Sequence, residues 1–251
     1  MSRVEILYLL PYLFSLALSL WITRYAWKHR QVQGAGAYAL LNAIQTFICM
    51  GFILELLSPD LIGKLFWDKV QWVAFSAASL AIPNFAVRYT NFKFRKLKLF
   101  WGLASVLPVS LVIGILVDPW THLIYRNPIL NQVFIFGELQ YKFTWFVYLF
   151  AAYCYLLVLM AFIILSRRIT HSNRRYRAQV TAVIVGLLIP VLGTFLGLLG
   201  IQITPLRDTT PITTAIGNLI VTWSIFRYRW LNIVHIARDK VVENIDRKSV
   251  V

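Results

Sequence analysis

Seven apolar stretches, each about long enough to cross a bilayer, recur near residues 5–26, 35–57, 67–89, 99–117, 142–165, 178–200 and 209–226. Hydrocarbon offers no partner to a backbone N–H or C=O. Such a chain must satisfy these groups within each segment, as helices. The expected fold is an all-α membrane protein: a seven-transmembrane-helix bundle over residues 1–226, followed by a cytoplasmic helix or linker over 227–251. The seventh stretch is the most polar, diluted by Thr210, Pro211, Thr213, Thr214, Asn218 and Thr222. None of these is charged, and a bundle interior accepts them. A six-span bundle is the alternative.

Basic clusters follow every second stretch: Lys28-His29-Arg30, then Lys93, Arg95, Lys96 and Lys98, then Arg167-Arg168 with Arg174-Arg175-Arg177, then Arg227 and Arg229. Of the 25 Lys and Arg, only Arg3, Lys64, Lys69, Arg126, Lys142 and Arg207 fall at the opposite ends. Positive charge is retained on the cytoplasmic side, so the N-terminus is expected outside and the C-terminus inside. A net charge of +15 would suggest nucleic acid in a soluble domain. Here 59% of residues are hydrophobic and only 14% charged, against about a quarter in soluble domains. The charge therefore reports topology, and the bilayer rather than nucleic acid is the expected partner. Only Arg3 precedes the first stretch and the stronger charge follows it, which argues for a retained helix over a cleaved signal.

Cys49 and Cys154 lie within apolar spans and behave as small hydrophobes. His29, His122, His171 and His235 fall at span edges or in loops, so neither a metal site nor a cofactor is expected.

Pro83, Pro108 and Pro190 fall inside the third, fourth and sixth stretches. They remove the backbone bonds to the carbonyls of Ser79, Ala104 and Gly186 and mark Pro83 and Pro190 as candidate hinges. On the third stretch Asp68, Trp72, Phe75, Ser76 and Ser79 sit at offsets that place them on one helix face. The seventh offers Thr210, Thr213, Thr214, Gly217, Asn218 and Thr222, and the second Asn42, Gln45, Cys49 and Phe52. Polar groups in a bilayer seek protein partners, so most of these serve as glue between helices and the rest line a pocket. Gly193-Thr194-Phe195-Leu196-Gly197 is a small-xxx-small pattern, expected to pack tightly within the monomer.

The connection over 118–141 is apolar and strand-prone through Trp120, Ile124, Tyr125, Val133, Phe134, Ile135, Phe136 and Tyr141. With Asn127-Pro128 as its turn, it is expected to form a small hairpin across the extracellular mouth, ringed by Glu55, Asp118, Glu138 and Asp208. The alternative is an aromatic belt segment at the membrane interface. Beyond the last stretch Trp230, Val234, Ala237, Val241 and Ile245 recur near helical period, with charged and polar residues between them. An amphipathic cytoplasmic helix is expected there, either on the inner leaflet or paired with its copy in a homodimer and running into a further module.

These residues bring a family into view. Pro83-Asn84-Phe85-Ala86-Val87-Arg88-Tyr89-Thr90 resembles the aromatic-rich element ending helix three in the seven-helix N-terminal sensor region of bacterial histidine kinases. Asp118-Pro119-Trp120-Thr121-His122-Leu123-Ile124-Tyr125 resembles that family's motif after helix four, and Asp208-Thr209-Thr210-Pro211 the start of its helix seven. The fullest similarity is Phe226-Arg227-Tyr228-Arg229-Trp230-Leu231, followed by Val234 to Ile245. Arg247-Lys248-Ser249 departs from the acidic or glycine turn more common there. The resemblance implies an input domain in the bacterial inner membrane, joined to a cytoplasmic PAS, histidine-kinase or diguanylate-cyclase module.

Rival classes fare less well. No paired Ser and His, mid-membrane aspartate pair or His-Glu-x-x-His site supports intramembrane proteolysis, and no phosphate-cradling loop supports kinase activity. Residues 209–226 contain no lysine for a retinal Schiff base. A small-molecule transporter, or another kind of seven-helix protein, is the alternative to a sensor. For a sensor, the candidate ligand-binding residues are Trp72, Phe75, Ser76, Ser79, Glu55, His122, Asp208, Thr210, Thr213 and Asn218, for a small-molecule or lipid ligand. Arg227, Arg229, Trp230, Val234, Ala237 and Val241 are the candidates for signal transmission.

Overall fold

The computed structural model describes residues 3–92, 96–131, 136–170, 174–198 and 209–226. Within them the chain is mostly helical: α1 (Arg3–Lys28), α2 (Ala35–Leu57), α3 (Leu61–Thr90), α4 (Leu97–Thr121), α5 (Trp145–Thr170), α6 (Arg174–Leu198) and α7 (Thr210–Phe226). The first six are long and apolar enough to cross a membrane, and α7 is a shorter apolar helix. At 1.5 Å per residue α7 is roughly 25 Å long, close to the thickness of a hydrocarbon core. Between α4 and α5, β1 (Tyr125–Asn131) and β2 (Glu138–Phe143) pair antiparallel.

α3 is the hub, packing against α2, α4, α5 and β2. Its start differs from the hydropathy expectation. The helix begins at Leu61, six residues before the apolar stretch, because Asp60 caps it by accepting from the Gly63 amide at 3.1 Å. Lys64, which depresses local hydropathy, is fully buried there and donates through Nζ to the carbonyls of Glu55 at 2.9 Å and Leu56 at 3.2 Å. A cation on α3 thus adds donors to carbonyls at the C-terminus of α2, where the Ser58 amide also reaches that of Glu55 at 3.2 Å.

Two further expectations need correction. Asn127-Pro128 is not the hairpin turn: it lies within β1, where pairing slips between Arg126 and Ile129 and Asn127 takes a φ of 51°. Proline cannot donate to a ladder, and a bulge takes up the misfit. β1 runs on to Asn131, and Gly137 takes a φ of 64° just before β2. Asp118 and Pro119 do not follow helix four but lie in its last turn, since α4 ends at Thr121 with His122 as a left-handed cap.

The outer helix faces are apolar and open, as at Leu7, Phe14, Leu103, Leu116 and Leu156, while polar residues such as Ser19, Asn42, Ser79, Asn218 and Ser224 are buried. The largest core cluster joins α1, α2, α3, α5, α6 and α7 around Tyr38, Phe85, Leu165, Val183 and Ile225. A second joins β1 to α4 and α5 through Ile124, Tyr125, Leu111 and Phe150. α6 and α7 approach most closely where a Cβ on Gly217 would lie 2.2 Å from the Gly186 carbonyl oxygen, the one freed by Pro190. Gly193 meets Thr213 in the same interface, so this half of the small-xxx-small pattern packs within the chain. The carbonyl freed by Pro108, that of Ala104, is taken up by the Tyr153 hydroxyl on α5 at 2.6 Å.

Candidate ligand cavity and its link to the hairpin

Hydrocarbon cannot solvate a carboxylate, so each acid near the hairpin end of the bundle must find donors in the protein. Glu55 on α2 is 1% exposed and accepts from Gln71 Nε2 on α3 at 2.9 Å. A Cβ on Gly51 would lie 2.9 Å from Gln71 Cγ, so the bare glycine makes room for that side chain. Asp118 folds back over the end of α4 to accept from the amides of Ile124 at 2.7 Å and Tyr125 at 3.2 Å, with Lys69 Nζ at 3.7 Å. Glu55 and Asp118 are therefore buried structural partners, not members of an open acidic ring.

Asp68, one turn before Trp72, ties the hairpin to the bundle. It accepts from the hydroxyl of Tyr125 on β1 at 2.7 Å and from that of Tyr141 on β2 at 3.1 Å. Burial first, and the Asp68 carboxylate second, push both phenols well above their ordinary pKa. The Thr144 hydroxyl closes the base of the hairpin on the Leu123 carbonyl.

Trp72 carries this arrangement inward. Its ring packs edge-on against Phe143 of β2 at 5.7 Å and Phe150 of α5 at 6.5 Å, and tilts against Phe75 at 5.9 Å. Below it lies a cavity of about 240 Å³ bounded by α1, α2, α3, α5, α6 and α7. Phe52, Trp72, Phe75, Phe150, Tyr155 and Phe162 give it an aromatic wall, and Ser19, Gln45, Gln71, Ser79, Thr194 and Thr214 supply scattered polar groups. Among the described residues, no Asp, Glu, Lys, Arg or His lines it. An apolar cavity of about 150 Å³ holds benzene, so this one has room for a somewhat larger uncharged molecule.

On α7, Asn218 Nδ2 donates to the cavity residue Gln45 at 2.8 Å. The Asn218 carbonyl accepts from Tyr38 at 2.8 Å and from Thr222 at 2.6 Å. α7 is thereby fastened to α2 beside the cavity.

Of the residues expected to bind ligand, Trp72, Phe75, Ser79 and Thr210 line this cavity, as does Pro190 of the candidate hinges. Ser76 turns its hydroxyl back to the Trp72 carbonyl, and Thr213 turns its own to those of Thr209 and Thr210. Asn218 and Glu55 touch it only through Gln45 and Gln71. His122 is exposed at the end of α4, apart from the cavity. Asp208 lies outside the described residues, as do Val133 to Ile135, Arg227, Arg229, Trp230, Val234, Ala237 and Val241. The contribution of α5, through Ala151, Cys154, Tyr155, Val158 and Phe162, went unforeseen.

No curated protein matches this chain. The family model for the N-terminal 7TM region of histidine kinase matches residues 11–234, spanning every helix described above apart from the first turns of α1. A bundle of apolar helices with buried polar groups between them therefore has a family to go with its architecture: the chain belongs to the N-terminal seven-transmembrane region of histidine kinases.

Proposed function

We propose that this chain is the ligand-sensing input of a signalling protein of the bacterial inner membrane. It would take an uncharged, largely apolar small molecule or lipid into the cavity beneath Trp72 and pass the resulting shift to a cytoplasmic kinase or cyclase module. The supporting observation is the cavity itself, which six helices line, among the described residues, without an ionisable Asp, Glu, Lys, Arg or His. Desolvating a charge there would be costly, whereas an apolar molecule entering from the membrane gains packing against six aromatic rings. On this reading the end bearing the basic clusters is cytosolic and the hairpin is extracellular. Trp72 touches hairpin and cavity alike, and Pro190 sits where α6 meets both the cavity and α7. Occupancy could therefore bias the α6–α7 arrangement, and through it residues 227–251.

The test fills the cavity. In the full-length protein in native membranes, Ala78→Trp should hold autophosphorylation at one level across a panel of hydrophobic compounds that change the wild-type output. A panel response equal to that of wild type would sink the proposal. A second measurement inserts one residue between Trp230 and Ile245: signalling that survives unchanged argues against a helical transmission rod.

A further inference from the structure

A second cleft, of about 730 Å³, opens at the other end of the bundle, which bears the basic clusters. It is built by the end of α1, the α1–α2 turn, the start of α2, the end of α3 and the start of α4. Gly34 permits this approach: it sits at φ 82°, and a Cβ there would lie 2.9 Å from the Tyr89 Cα. Gln33 fastens the turn by donating to the Tyr89 carbonyl at 3.0 Å.

The cleft collects one kind of chemistry. Arg30 from the turn and Arg88 from α3 line it, with Gln31, Asn84 and Asn91 as further polar groups, and among the described residues no carboxylate does. Both arginines are exposed, and neither has an ion-pair partner among the described residues. Arg30 lies over the Trp27 ring at 5.0 Å, which orients its guanidinium without neutralising it. The rim is apolar on the side facing away from the bundle: Trp27 is 57% and Leu40 50% exposed, and Trp101 completes the wall. A cationic floor beside apolar residues on outward helix faces complements a molecule with an anionic head and hydrocarbon chains.

We propose that this cleft binds the phosphate headgroup of an anionic phospholipid, with Arg30 and Arg88 on the phosphate and the acyl chains running past Trp27 and Leu40. Planar guanidiniums suit a phosphodiester, and a basic pocket between helices gains from the anionic leaflet beside it. The cleft is distinct from the ligand cavity, since the two share no lining residue among those described.

The experiment titrates the purified chain in detergent with dioleoylphosphatidylglycerol or dioleoylphosphatidylcholine and follows the first bound lipid by native mass spectrometry. The wild type should prefer phosphatidylglycerol. The double variant Arg30→Gln/Arg88→Gln should bind it more weakly by about fivefold for each arginine removed. Arg126→Gln/Lys142→Gln at the hairpin end should not change it. Independently of any variant, a photoreactive phosphatidylglycerol should label peptides spanning residues 27–40 or 84–101 of the wild type. Equal retention of the two lipids, an unchanged double variant, or labelling confined to other peptides would overturn the assignment. So would displacement of the lipid by millimolar inorganic phosphate, which would make this a site for a free anion.

Discussion

Tyr125 on β1 donates its phenolic proton to Asp68 on α3 over 2.7 Å, joining the hairpin to a helix 57 residues away in sequence. Tyr141 donates to the same carboxylate from β2, so one acid holds both strands. Asp68 is 7% exposed, and its polar partners replace the water it has lost.

Asp68→Asn removes the charge that both hydroxyls address and leaves an amide with one acceptor oxygen. Hydrogen bonds to a buried charge contribute about 1.5–3 kcal/mol each, so the variant should lose several °C in thermal unfolding in detergent. Tyr125→Phe should lose less, because Tyr141 still serves the carboxylate. If Tyr125→Phe is the more damaging of the two, Asp68 is not the centre of the latch.

The same pair gives the fold a pH dependence on the alkaline side. Burial, then Asp68, raises the native pKa of Tyr125 and Tyr141 above the ordinary value of about 10, so the fold favours the neutral phenols. Their contribution is complete below about pH 10, where the unfolded tyrosines are still protonated. It is lost as pH rises from there through the raised native values. Unfolding midpoints measured from pH 8 upward should fall more steeply above about pH 10 for the wild type than for Tyr125→Phe/Tyr141→Phe. Parallel curves would show that these phenols titrate freely.

The cavity's α3 wall is legible from spacing alone, because the offsets from Trp72 to Phe75 and Ser79 mark one helix face and that face lines it. The α5 wall is not. That helix is apolar nearly all round, so periodicity offers no contrast between lipid-facing Leu156 and cavity-facing Tyr155. Glu55 and Asp118 were expected at an open mouth because hydropathy locates a charge along the membrane normal without naming its partners. Gln71 and the Ile124 and Tyr125 amides come from other elements, and only the packing brings them in. Lys64 misplaces the start of α3 for a related reason: its charge lowers hydropathy where its job is to cap the neighbouring helix.

Gly217→Ala should be among the most damaging single-methyl additions in the bundle. The new Cβ would lie 2.2 Å from the Gly186 oxygen and 3.0 Å from Pro190 Cδ, and neither belongs to a flexible side chain. α6 and α7 would have to separate, at a cost of about 3 kcal/mol or more. Gly102→Ala is the control, since a Cβ there meets nothing within 4 Å. Thermal unfolding in mild detergent should distinguish the two clearly, and similar midpoints would mean that α6 and α7 are not so closely packed.

Pro108 and Tyr153 allow a sharper test, because the role assigned to the phenol depends on the proline. Pro108 has no N–H, so the Ala104 carbonyl in the turn before it loses its helical donor inside an apolar stretch. Tyr153 on the neighbouring helix supplies a replacement at 2.6 Å. Tyr153→Phe should therefore cost about 1–2 kcal/mol in the wild-type background, where it leaves that carbonyl without the donor. Pro108→Ala restores an N–H at position 108 that can reach the same oxygen, and in that background Tyr153→Phe should cost only a fraction as much. The four proteins form a double-mutant cycle with an expected coupling of about 1 kcal/mol, readable from unfolding midpoints in one detergent. Equal costs in both backgrounds would mean that the hydroxyl contributes through its own packing, and that α4 meets the loss at Pro108 in some other way.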